Sequence, residues 1–158
     1  MAHNHGLALL LIAFVFAASN PLAHSLQLNV TGLNVSGQLC CTPTGNCPGQ
    51  GVSGALISLN CTNNLGVTTT VGQITTGING TFNITVPGST SLLRGLPNLP
   101  CVASAQLPFD YAICPMLSML SSANRDLVGI VTFVDIVSTT AIDLIGNFVV
   151  REFILVEN

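Results

Sequence analysis

The chain has 158 residues, 49% of them apolar, and carries three arginines, no lysine and six acids, for a formal net charge of −3. That length supports one domain with a workable core. The charged fraction is 6%, against about 25% in ordinary globular chains, and it excludes the basic patch that nucleic acid or an anionic membrane requires.

With so few ionised side chains, either something else keeps the molecule hydrated or its surface is adhesive. Leu7–Ala18 (LALLLIAFVFAA) is an apolar run too short to span a membrane and of the right length for the core of a secretory leader. His3 and His5 stand where a leader usually has Lys or Arg. Small residues at Ala17, Ser19, Ala23 and Ser25 leave the cleavage point open between 19 and 25. We therefore expect residues 1–23 to be a leader and 24–158 a single secreted domain, with His3, His5 and His24 as leader or terminal residues.

Leu26, Leu28 and Val30 alternate with Gln27, Asn29 and Thr31, which begins a strand. Val35, Gly37, Leu39 and Cys41 then share one phase, predicted to face inward, with Asn34, Ser36, Gln38 and Cys40 on the other. Thr42–Gly51 is a loop by composition. Ala55, Ile57, Leu59 and Cys61 face one way, and Ser58 and Asn60 the other. Val67–Thr76 is rich in threonine and valine, a strand composition. Asn79-Gly80 is a tight-turn pair, after which Phe82, Ile84 and Val86 alternate with Asn83 and Thr85.

Pro87–Pro100 reads as a long loop, Cys101–Leu107 as a short strand, and Cys114–Ala123 as a short helix or coil. Leu127–Val137 and Phe148–Val156 are apolar on both phases, so each is either central to the core or leaves an apolar outer face. A transmembrane helix over Leu127–Val150 fails on Asp135, Asp143 and the β-branched composition. Short strands, frequent turns and little helix make the fold all-β, a β-sandwich or open barrel.

Five N-x-[ST] sequons occur, at Asn29, Asn34, Asn60, Asn79 and Asn83. Four fall on the outward phase of strands assigned from apolar residues alone, and Asn79 lies at a turn. A bulky glycan is accepted only at such places. We expect at least two to be used, with Asn60 the weakest because Cys61 can be oxidised before the sugar is attached. Glycans would supply the hydration that the missing charges do not.

Chemistry is hard to build from this chain. With no lysine and no histidine after His24, the usual bases for a serine or cysteine nucleophile and all Schiff-base chemistry are missing. Asp135 with Asp143, or Asp110 with Asp126, could pair only without a motif, and Gly49, Gly51 and Gly54 lead into a strand where a phosphate loop leads into a helix. No catalytic residue, metal or cofactor is expected. Six cysteines form an even count, pointing to disulfides in an exported chain, and adjacent Cys40-Cys41 lacks the gap that zinc ligands need.

Val35–Cys41 (VSGQLCC), Ala55–Cys61 (ALISLNC), Gly80–Val86 (GTFNITV) and the later Cys101 and Cys114 resemble the pollen-allergen/extensin-like family, and within it the phylloplanins, a group of secreted plant-surface proteins. The likeness covers roughly Val30 to Cys114 and extends more loosely over the C-terminal strands. It implies an antiparallel β-sandwich of Greek-key type. The family's nested pairing, carried over, gives Cys41–Cys114 and Cys61–Cys101 and leaves Cys40–Cys47 to close the loop. Cys40 and Cys47 depart from the four-cysteine phylloplanin pattern. The resemblance also implies a defence role at the plant surface, against germinating fungal or oomycete spores. The expected partners are plant wax or cuticle, a microbial surface, or cell-wall polymers. A cell-wall matrix protein that binds polysaccharide is the alternative.

Overall fold

The structure, a computed structural model, describes residues 30–88, 100–106, 110, 112–119, 125–139 and 144–157. The expected leader, the strand start at 26–29, most of the Pro87–Pro100 loop, His3, His5, His24 and Asp143 lie outside them. The elements are β1 (Val30–Gln38), β2 (Leu56–Thr62), β3 (Thr68–Thr75), β4 (Thr81–Pro87), β5 (Cys101–Ala105), a one-turn helix α1 (Pro115–Ser118), β6 (Arg125–Ser138) and β7 (Leu144–Glu157). The fold is all-β, as the period-two patterning predicts.

The strands form one seven-stranded sheet in the order β3-β2-β5-β6-β7-β1-β4. Its two outer strands pack side by side, so the sheet curls into a near-barrel. Gly72 on β3 makes that approach possible: a Cβ there would lie 2.6 Å from the Ile84 side chain of β4. The turn between β3 and β4 is set by Gly80, whose φ of 73° suits glycine. A Cβ on Gly80 would also run into the Leu39 carbonyl oxygen.

The resemblance implied antiparallel pairing throughout, and here the structure differs. β1 runs parallel to β7, with Val35 opposite Phe148, while the other pairs are antiparallel. The sheet is therefore mixed and nearly closed, the open-barrel form of the sequence reading. Alternation reveals which face a residue occupies and is blind to the direction of the neighbouring strand, so this departure left no trace in the pattern.

Leu33, Val35, Ile57, Leu59, Leu127, Phe148 and Phe153 are fully buried inside the curl. Two edge-to-face aromatic pairs, Phe82–Phe153 at 6.4 Å and Phe133–Phe148 at 5.5 Å, tie β4, β6 and β7 together. Three disulfides reinforce this shell: Cys40–Cys47, Cys41–Cys114 and Cys61–Cys101. The last links residues directly opposite each other on β2 and β5. Cys41–Cys114 anchors the residue just before α1 to the loop that follows β1.

The predicted phase fails at one cysteine. Cys40, placed on the outward phase, is fully buried, and Cys41 is half-buried. β1 ends at Gln38, and the 42–50 loop folds back over Cys40, with the Cys41 amide donating to the Gln50 carbonyl at 2.7 Å. Gly49 sits directly on the Cys40 side chain. Once the chain leaves the sheet, alternation no longer specifies inside and outside.

Candidate functional site

On the outside of the barrel, three zones follow from strand register. In the first, β6 and its neighbours place apolar side chains outward. Val102 of β5 lies opposite Ile130 of β6, and Val128 lies opposite Ile154 of β7. Val102, Ile130, Ile154 and Val156 are 39–46% exposed. They form a strip because successive outward residues on a strand are two apart and their partners are directly across. Asp126, opposite Val156, and Glu152, opposite Ile130, lie along its margin. Val134 and Val137 extend the exposed apolar surface along β6 past the register shifts. This is the apolar outer face that the two-phase hydrophobicity of these strands allowed.

The second zone is an amide ladder on the same outer face. The Asn147 carboxamide donates to Asp135 at 2.8 Å and lies 3.5 Å from Asn34, and the Thr85 hydroxyl donates to Asn34 at 3.2 Å. One polar row thus crosses β6, β7, β1 and β4. A third zone links β3, β2 and β5. The Thr70 hydroxyl donates to the Asn60 carbonyl oxygen at 2.7 Å, and the Asn60 amide donates to Ser104 at 2.6 Å. Gln73 donates to Ser58 at 2.8 Å beside it.

The sequon asparagines therefore fall into two groups. Asn34 and Asn60 are half-buried and sit within the ladders. Asn79 and Asn83 are exposed, on the β3–β4 turn and on β4. Asn29 lies outside the described residues.

One residue went unnoticed in the sequence. Asn46, in the loop closed by Cys40–Cys47, binds the backbone of Phe153 twice. Its amide donates to the Phe153 carbonyl at 2.9 Å, and its oxygen accepts from the Phe153 amide at 2.6 Å. β1 pairs with β7 only as far as Val150, so beyond that point Asn46 acts as a one-residue strand along the β7 edge. The Thr42 hydroxyl, donating to the Asn46 carbonyl at 2.8 Å, holds it in place. In sequence it reads as one more turn residue, because asparagine is common in such loops.

Two of the candidate carboxylates, Asp110 and Asp135, serve local structure. Asp110 accepts the Ala112 amide at 2.9 Å ahead of α1, and Asp135 belongs to the amide ladder. Among the described residues, no group of three or more His, Cys, Asp or Glu could hold a metal ion. Among them, too, no helix is long and apolar enough to cross a membrane.

No family model matches the chain, and no curated protein matches it. Two solved structures are similar. The major plantain pollen allergen Pla l 1 is 12% identical, with 77% of this chain and 95% of that chain covered and a TM-score of 0.36. A 9R-lipoxygenase from Cyanothece PCC8801 is 16% identical, with 54% of this chain covered and a TM-score of 0.34. This chain spans 12% of the lipoxygenase chain. At these scores neither likeness transfers a residue role or an activity.

Proposed function

We propose that this is a secreted, non-catalytic glycoprotein that works by adsorbing to waxy or lipidic surfaces, with a defence role on the plant surface that inhibits germination of fungal or oomycete spores. The observation that carries the reading is the apolar strip of Val102, Ile130, Ile154 and Val156 on a molecule with very few charges. Exposed apolar patches of this kind are contact surfaces. Three disulfides fit an oxidising compartment. The defence role rests on the resemblance to the pollen-allergen/extensin-like family and its phylloplanins.

The test is germination of spores in the presence of the purified, oxidised protein, with reduced and alkylated protein as control. Dose-dependent inhibition that disappears on reduction supports the reading. Absence of inhibition at every soluble concentration rejects the defence role. It would favour the second reading, a wall-matrix protein that binds polysaccharide, for which the amide ladders offer rows of donors and acceptors at strand spacing. Binding to isolated wall polymers separates the two.

A further inference from the structure

We infer that, of the four sequons among the described residues, Asn79 and Asn83 carry oligosaccharide and Asn34 and Asn60 stay bare in the folded, secreted molecule. The inference rests on the reading of the chain as a secreted glycoprotein and assigns its modified sites. Transfer to a sequon moves a preassembled oligosaccharide from a lipid-linked pyrophosphate donor to the asparagine Nδ2. The sugar–oxygen bond to the pyrophosphate breaks, a sugar–nitrogen bond forms, the lipid pyrophosphate leaves and the amide loses one proton. The attached chain is then tolerated only where the folded protein lets the carboxamide stand clear of the sheet.

Asn79 and Asn83 meet that condition. Asn79 lies exposed on the turn held by the Gly77 amide donating to Thr81 and the Gly80 amide donating to Gly77, both at 2.9 Å. Its backbone carbonyl accepts from Gln38 at 2.9 Å, which fixes the turn without engaging the side-chain amide. Asn83 is exposed on the outward phase of β4, whose pattern alternates strictly between exposed and buried. Both sequons end in threonine, Thr81 and Thr85.

Asn60 does not meet it. Its carboxamide lies across the sheet, bonded to Thr70 on one flank and Ser104 on the other at 2.7 and 2.6 Å. The next residue, Cys61, is locked to Cys101. Asn34 is half-buried and sits between Asn147 and Thr85 in the other ladder. A sugar on either would force the carboxamide out of its row.

The assignment also orients the molecule. β4 stands three places from β6 in the sheet order, so in a nearly closed seven-stranded barrel the glycans lie on the side away from the apolar strip. They would hydrate that side and leave the strip uncovered.

The experiment is site-resolved glycopeptide mass spectrometry on the full chain, expressed with its leader in a plant secretory system and purified as soluble, oxidised protein. Three arginines give few tryptic cuts, so chymotryptic and elastase peptides are needed. The expected map has sugar on most copies at Asn79 and Asn83 and on few at Asn34 and Asn60. An N79Q/N83Q double variant should then lose all glycan mass except any carried at Asn29; if that variant is not secreted, the wild-type map decides alone. Sugar on most copies at Asn34 or Asn60, or bare Asn79 and Asn83 beside a glycan elsewhere, overturns the assignment while leaving the glycoprotein reading intact. A chain bare at every sequon overturns both.

Discussion

Asn46 shows how much one side chain can contribute where a strand outruns its partner. The Phe153 amide and carbonyl would otherwise face the open edge of β7, and Asn46 satisfies both. Loss of two such bonds to a largely buried backbone costs about 1–3 kcal/mol. We expect Asn46→Ala to lower the urea midpoint with little change in slope, and Asn46→Asp, which keeps the acceptor and loses the donor, to fall between it and wild type. An Asn46→Ala midpoint equal to wild type would show that water replaces the carboxamide without cost. Nothing in the loop sequence TPTGNCPGQG marks this asparagine, because the group it serves lies 107 positions away.

Among the elements, the strands were legible and their arrangement was not. Phe82, Ile84 and Val86 are buried, and Thr81, Asn83 and Thr85 exposed, as strict alternation requires. The long strands β6 and β7, apolar on both phases, left the outer apolar strip open as one of two possibilities. The choice depended on whether another layer covered them. The parallel β1–β7 pair was hidden because it depends on contacts distant in sequence, and the burial of Cys40 because alternation stops specifying a face where β1 ends. The disulfides act at this scale as well. By loop-closure entropy, Cys41–Cys114, with a separation of 73 residues, should contribute roughly 4 kcal/mol, and Cys40–Cys47, with a separation of 7, roughly 2 kcal/mol. Thermal unfolding of C41A/C114A should therefore show a larger fall in Tm than that of C40A/C47A. The reverse order would mean that the small loop works mainly through the β7 edge that Asn46 guards.

For the whole molecule, the three surface zones make the proposed adhesion directional. Ile130 and Ile154 are part-exposed, so replacing both with lysine removes apolar contact and adds two charges while leaving the core untouched. We expect I130K/I154K to keep the wild-type Tm within a few degrees and to adsorb several-fold less to a wax-coated surface in plain buffer. Equal adsorption by the variant, or complete recovery of the wild type from wax, would remove the strip from the function. The candidate site was legible in the sequence only as composition, since low charge and two-phase strands allow an apolar outer face. Its outline came from the pairing of Val102 with Ile130 and of Val128 with Ile154, which no linear pattern records.

The parallel pairing of β1 with β7 also sets an order of events during synthesis. The first described strand lies between β4 and β7, with Asn34 beside Asn147, 113 positions later. As the chain emerges, β1 can join β4 early, yet its other edge stays bare until the last strand has been made. Assembly around so distant a contact is slow. Cys41 faces a similar wait for Cys114, with Cys61 free to pair wrongly in the meantime. The sheet is thus completed only when β7 has been made, and a chain cut short within β7 leaves one edge of β1 half unclaimed.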